Sequence, residues 1–171
     1  MDDFYIDKVL NGDKQAFRYF VRQYKDIAYN LAFSVVKNTH SAEDVVQEAF
    51  IKAFKGLKSF KKDAKFTSWF YRIVVNEAFM YIRKNNIDFV DIYEQTSVLT
   101  TDEIKENQEW ISVQSFMRCL NPKESLVLSL FYLEEKKITE ISNITGWSIS
   151  NVKVLLHRAR KNLKELLNKD L

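Results

Sequence analysis

The stretch Ile138-Thr139-Glu140-Ile141-Ser142-Asn143-Ile144-Thr145-Gly146-Trp147-Ser148-Ile149-Ser150-Asn151-Val152-Lys153 decides the fold class. Isoleucines at offsets of three mark one face of a short helix, and Gly146 follows as a C-terminal cap residue. Ser148 then caps a second, longer helix, whose inward positions are Val152, Leu155, Leu156, Ala159, Leu163, Leu166 and Leu167. Two helices joined by a glycine turn and closed by Ile138, Ile141, Ile144, Val152 and Leu156 make a helix-turn-helix. In that motif the first turns of the second helix enter a DNA major groove, so Ser148, Ser150, Asn151, Lys153, Val154 and Leu155 are read as exposed there. Serine and asparagine can read base edges, and Lys153 can pair with phosphate or guanine. His157, Arg158, Arg160, Lys161 and Lys164 would follow the backbone. A plain helical hairpin with a glycine cap is the alternative for this stretch alone.

Working outward, the rest of the 171-residue chain is also patterned as helices. Three glycines and one proline are too few for the turns of a sheet-rich fold, so an all-α fold is expected. From Asp13, a plausible N-cap, Phe17, Phe20, Val21, Tyr24, Ile27, Ala28, Leu31 and Val35 predict a first helix ending near Asn38. A second helix is predicted from Ser41, with Asp44 completing a capping box and Val45, Ala49, Phe50, Ala53 and Leu57 inward. A basic connector, Ser59 to Phe66, leads to a third helix from Thr67 to about Lys84. The helical period fails from Asn86 to about Asp102. A helix from Ile104 to Cys119 is expected next, then one opened by Asn121 as cap and Pro122 in the first turn.

Charge supports a division into two small helical domains. Residues 1–86 carry net +5, residues 87–109 net −6, and residues 110–171 net +4. The expected boundaries are 1–86, an acidic linker over 87–105, and 106–171. Two basic blocks point to a polyanion partner. The single Cys119 precludes an internal disulfide. His40 and His157 add only two further soft ligands at unrelated spacings, so no metal site is expected. Neither a nucleophilic constellation nor a glycine-rich phosphate loop is visible, so no enzyme, cofactor or small-molecule substrate is expected. The acidic start and the lack of an apolar run of ~18 residues predict a soluble cytoplasmic protein.

Three segments, in this order, resemble the sigma-70 family of RNA polymerase initiation factors, specifically its small extracytoplasmic-function (ECF) group. Ala42-Glu43-Asp44-Val45-Val46-Gln47-Glu48-Ala49-Phe50 is similar to the region 2 helix that docks on the polymerase clamp. Phe66-Thr67-Ser68-Trp69-Phe70-Tyr71-Arg72-Ile73-Val74-Val75-Asn76 is similar to the region 2 segment behind minus-ten recognition. Leu120 to Glu124, through Val152-Lys153 to Arg158-Ala159-Arg160-Lys161, is similar to region 4.

The resemblance implies core RNA polymerase and promoter DNA, both duplex and melted at the minus-ten element, as partners. It also implies an anti-sigma factor that could hold the chain at the membrane. It makes Asp44, Gln47, Glu48 and Ile51, which share one helical face, a polymerase-docking surface; a solvated polar face is the plainer alternative. It makes Phe60, Lys61, Lys62, Lys65, Arg72, Asn76 and Arg83 minus-ten contacts, where basic grooves and stacking platforms hold single strands. Phe66, Trp69 and Phe70 also have a core reading, favoured for at least two of them, and Asn76 a structural hydrogen bond as alternative. The minus-thirty-five set is Ser148, Ser150, Asn151, Lys153, Val154, Leu155, His157, Arg158, Arg160 and Lys161. Many relatives carry arginine where this chain has Leu155, and Gly-Thr where it has Ser150-Asn151, so an arginine contact there does not transfer; Leu155 against a thymine methyl is the substitute considered. The acidic linker could occupy a basic polymerase channel or be a solvated tether. A stand-alone helix-turn-helix regulator and a polymerase-bound decoy remain the rival readings.

Overall fold

The computed structural model describes residues 1–85 and 117–169, which form helices and turns with no strand among them. The N-terminal lobe comprises α1 (Asp2–Leu10), α2 (Arg18–Val36), α3 (Thr39–Gly56) and α4 (Phe66–Lys84). The C-terminal lobe comprises α5 (Pro122–Leu128), α6 (Ile138–Thr145) and α7 (Ile149–Lys169). A five-residue π-helical turn, Ser129–Leu133, prolongs α5.

Helices α2, α3 and α4 pack against one another around an aromatic core. Phe20 and Phe70 are fully buried there, Phe66 lies 4.4 Å from Phe20 between ring centroids, and Phe50 lies 4.7 Å from Phe70. Such rings combine large buried area with tilted contacts that favour their quadrupoles. Helix α1 was not anticipated from the sequence. It buries only Ile6, and Asp2 at its start accepts hydrogen bonds from Tyr24 (2.7 Å) and Tyr19 (3.0 Å), pinning it across α2.

Capping explains where the helices begin. Asp13 accepts from the Ala16 amide at 3.2 Å, as expected, but a 3-10 turn at Lys14–Phe17 precedes α2 proper. The start of α3 differs from expectation. Asn38, not Ser41, is its cap, accepting from the Ser41 amide at 3.0 Å. The Ser41 hydroxyl instead donates to Tyr81 Oη at 2.9 Å and ties α3 to α4. An asparagine three residues earlier competes for the same role, and both residue types cap well. Asn121 caps α5 through the Lys123 amide at 3.0 Å, with Pro122 in the first turn, as expected. The expected linker over 87–105 and most of the expected helix Ile104 to Cys119 lie outside the described residues.

The two lobes share one continuous core. Helix α5 lies on α2, and α6 lies on α4. The C-terminal end of α2, Leu31 to Lys37, is buried on every side, because one face meets α3 and α4 and the other meets α5. A helix that is apolar all round is stable only when covered all round. Ser34, buried within it, donates to the Leu31 carbonyl at 2.7 Å and so leaves its hydroxyl satisfied.

Phe20→Ala is expected to destabilise the N-terminal lobe by about 3–5 kcal/mol, the range for truncating a buried phenylalanine. Equilibrium denaturation against wild type measures it; a loss under ~1 kcal/mol would show that the Phe20–Phe66–Phe70 cluster is not the core.

Candidate nucleic-acid interface and docking face

The connector between α3 and α4 bends where Lys62 adopts a left-handed backbone, φ 58°. Lys61, Lys62 and Lys65 are exposed along it. Lys62 is engaged, with Nζ 2.6 Å from Asp7 Oδ1 of α1. Phe60 is half-buried, 5.0 Å from Trp69 and edge-on to Phe66 at 6.0 Å between centroids. Phe66 and Phe70 are buried core residues, whereas Trp69 is half-buried over Gly56, where an added Cβ would come within 3.4 Å of the indole. Arg72, Asn76 and Arg83 are all exposed on α4, at offsets of four and seven that give one stripe. Beneath that stripe Glu77 is buried and paired with Lys52 Nζ at 2.6 Å, so a charge on the inner side of α4 is neutralised by α3.

On α3, Asp44, Gln47 and Glu48 are exposed and Ile51 is 45% exposed, while Val45, Ala49, Phe50 and Ala53 face the core. The four residues therefore form a polar patch around one uncovered aliphatic side chain, the composition of a protein-binding surface with an apolar centre.

In the C-terminal lobe, Gly146 takes φ 75° at the end of α6, which a side chain would strain. Ser148 Oγ accepts from the Asn151 amide at 3.2 Å and so caps α7, which commits its oxygen to the helix start. Ile141, Ile144, Val152 and Leu156 are buried between α6 and α7, and Ile138 is half-buried. Ser150, Asn151, Lys153, Val154, His157, Arg158, Arg160 and Lys161 are exposed. At 100° per residue, Ser150, Val154, His157 and Lys161 lie along the middle of the outward face. Arg160, though exposed, is engaged: its Nε donates to Tyr132 Oη at 2.8 Å, and its guanidinium stacks on Phe131 and Tyr132.

Leu155 requires a correction. The sequence places it both on the inward stripe and among the exposed groove residues; it is only 7% exposed and joins Leu156 and Ala159 on the inner face. Positions 152, 155, 156 and 159 form one inward stripe, and that periodicity places Leu155 in the core. It cannot present its methyls to a thymine while the lobe is folded this way. Val154, 46% exposed, is the apolar side chain at the centre of the outward face.

Several interlobe residues were missed. Tyr71, buried in α4, donates to Glu134 Oε2 at 2.9 Å, and burial followed by the nearby Glu134 charge raises its phenol pKa well above the ordinary range. Phe79 meets Trp147 edge-on at 5.8 Å, and the Arg118 guanidinium sits 5.4 Å from the Phe33 ring. Lys37 is buried between the lobes. The available signal was the stretch Leu31-Ala32-Phe33-Ser34-Val35-Val36, apolar but for Ser34, of which a single helical face used only part.

Two exposed basic sets lie on separate helical lobes, and a polar patch around Ile51 lies on α3, so the chain presents several distinct contact surfaces. Residues 20–87 match the family model for sigma-70 region 2, and residues 111–163 match that for sigma-70 region 4. The chain is 33% identical to the ECF RNA polymerase sigma factor SigW of Bacillus subtilis over 95% of its length and 94% of that protein. It is 31% identical to the ECF RNA polymerase sigma-E factor of Escherichia coli K12, over 94% of this chain and 91% of that one. The fold is similar to CnrH, solved with the cytosolic domain of CnrY (TM-score 0.73, 22% identity, 98% of this chain and 97% of that one). It is also similar to the sigma factor RpoE of Bartonella quintana, solved with the anti-sigma factor NepR (TM-score 0.71, 21% identity, 91% and 98%). The chain belongs to the sigma-70 family, in its ECF group. It is a transcription initiation factor and not an enzyme.

Because Leu155 is a core residue, Leu155→Arg is expected to unfold or strongly destabilise the C-terminal lobe rather than add a DNA contact, since an unpaired buried charge is costly. Leu155→Ala should lose about 2–5 kcal/mol. Thermal melts of both variants check this; an unchanged melt for Leu155→Arg would return the position to the exposed face.

Proposed function

We propose that this chain binds core RNA polymerase through Asp44, Gln47, Glu48 and Ile51, directs it to promoters, and assists opening of the minus-ten element. The observation that carries the reading is the simultaneous exposure of all four docking residues and of both basic sets, on the lobes that match regions 2 and 4. In this assignment residues 1–86 serve the polymerase and the minus-ten element, and residues 106–171 the minus-thirty-five duplex. Residues 87–105, rich in acids, are the tether, suited by charge to a basic channel of the polymerase.

At the minus-ten element, Lys61, Lys65, Arg72 and Arg83 would neutralise phosphates, and the exposed Asn76 amide would offer a donor and an acceptor to an unstacked base. Phe60 would act by holding the connector against Trp69. Lys62 becomes available to phosphate only on release of Asp7. At the minus-thirty-five element, Ser150, Asn151, Lys153, Val154 and His157 would face base edges while Arg158 and Lys161 meet phosphates. Ser148 would act through its cap, and Arg160 through its stack on Phe131 and Tyr132. Burial removes Leu155 from this set.

Geometry adds a condition. The two promoter elements lie about 25 base pairs apart, roughly 85 Å at ~3.4 Å per step. A compact chain of this length has a radius of gyration of about 16 Å. The packed lobes cannot reach both elements at once, so promoter engagement requires them to separate. Both solved structures named above hold the similar chain with a partner protein, in the second case an anti-sigma factor. That supports an anti-sigma factor as a partner of this chain, one able to retain it at the membrane. No described helix is long and apolar enough to cross a membrane itself; cytoplasmic action follows from the polymerase it serves.

The deciding experiment mixes the purified chain with core RNA polymerase from its host and maps transcript starts on fragmented host DNA. Discrete starts that depend on the chain are expected. Binding to polymerase without starts would favour a decoy, and duplex DNA binding without either would favour a stand-alone regulator. In the same assay Asp44→Arg combined with Glu48→Arg should abolish polymerase binding. Its stability should change by no more than about 0.5 kcal/mol, because both side chains are exposed. Retained binding would overturn the face assignment.

A further inference from the structure

Lys37 ends α2 with φ 60°, a left-handed conformation that favours glycine at this cap position. A lysine there accepts backbone strain that glycine would avoid, and its side chain has a structural use. It runs into the seam between the lobes, where Nζ donates to the main-chain carbonyl of Met117. The residue is 7% exposed. It closes the all-round buried end of α2 against the segment that leads into α5.

The charged and titratable groups facing it come from the C-terminal side. Glu124 of α5 and Cys119 both favour the protonated amine, but their attraction is smaller than the penalty of burial. Glu124 is also held by Asn162 of α7, whose Nδ2 donates to Oε2 at 2.9 Å. Arg118 lies one helical turn away on Phe33, with a buried Nε that has no partner among the described residues. Around Lys37 the seam thus brings two cationic side chains, Lys37 and Arg118, near one carboxylate, Glu124.

We propose that Lys37 is a proton-operated latch between the lobes: its neutral amine permits the closed packing of α5 on α2, and its protonation favours separation. Burial lowers the Lys37 pKa to about 7 in the closed form. Separation returns the amine to water and to the ordinary lysine value of ~10.4. The closed form therefore binds fewer protons than the open form between those values, so closure strengthens as pH rises through that window and is nearly flat below about 6. Closure should be favoured about fivefold more at pH 8 than at pH 7, and about fifty-fold more at pH 9. An alkaline shift holds the factor shut, and a fall toward neutrality releases it.

The test needs neither polymerase nor promoter, so it stands or falls apart from the initiation role. Dyes are placed on cysteines introduced at the exposed positions Lys25 and Asn143, in a Cys119→Ser background that removes the native thiol. Single-molecule energy transfer then gives the ratio of closed to open chains from pH 5 to 9. The expected result is the rise stated above for the lysine-bearing chain. Lys37→Met, neutral at every pH, should be closed with no dependence on pH. Lys37→Asn, which tolerates the left-handed backbone, serves the same purpose if the methionine variant does not fold. Lys37→Arg should open the chain throughout the range. An unchanged ratio in the lysine-bearing chain, or the same pH slope in the neutral variant, overturns the latch.

Discussion

The structure depends on the packing of α5 against the C-terminal half of α2. Leu31, Ala32, Phe33, Val35 and Val36 use the entire circumference of the helix, so no orientation of α2 against α3 and α4 alone could cover them. Helix α5 faces the same problem, since every residue from Glu124 to Leu130 is buried. Each helix supplies the cover that the other lacks. The seam is completed by directional contacts from Tyr71 to Glu134 and from Lys37 to Met117, which set how the lobes meet. Apolar burial favours closing, and the few buried polar groups make one registry better than others.

That arrangement separates charges by task. Glu77, buried in the N-terminal lobe, is paired with the partly exposed Lys52. Lys62 and Arg160 are engaged at the surface by Asp7 and by Tyr132. Lys61, Lys65, Arg72, Arg83, Lys153 and Arg158 are exposed, which is what the proposed DNA contacts need. The polar patch on α3 lies on the opposite side of its helix from Val45, Ala49 and Phe50, so the proposed polymerase contact and core packing would use different side chains.

Local signals were legible because they depend on neighbours in the chain. The α6–Gly146–α7 motif, the Asp13 and Asn121 caps, the Pro122 start and the exposure of Asp44, Gln47, Glu48 and Ile51 all follow from spacing and from the chemistry of adjacent groups. Errors arose where two local solutions compete or where a distant element intervenes. Asn38 and Ser41 are both able caps, and Tyr81 decides between them by taking the Ser41 hydroxyl. Helix α1 has almost no periodic signal, and its position is set by tyrosines of α2. Leu155 fitted both the inward stripe and the groove-facing turns of the helix-turn-helix; packing against the rest of the lobe puts it in the core.

By itself the sequence determined the helical class, the helix-turn-helix, the two basic blocks around an acidic stretch, and the family, because hydrophobic period, capping and motif order are properties of contiguous residues. Only the tertiary structure decided which face of α7 is free, that Lys62 and Arg160 are occupied, and that the lobes close on each other. Those outcomes rest on contacts between residues far apart in the chain, where coverage of leftover apolar surface and the pairing of buried polar groups select one arrangement among many that local pattern permits.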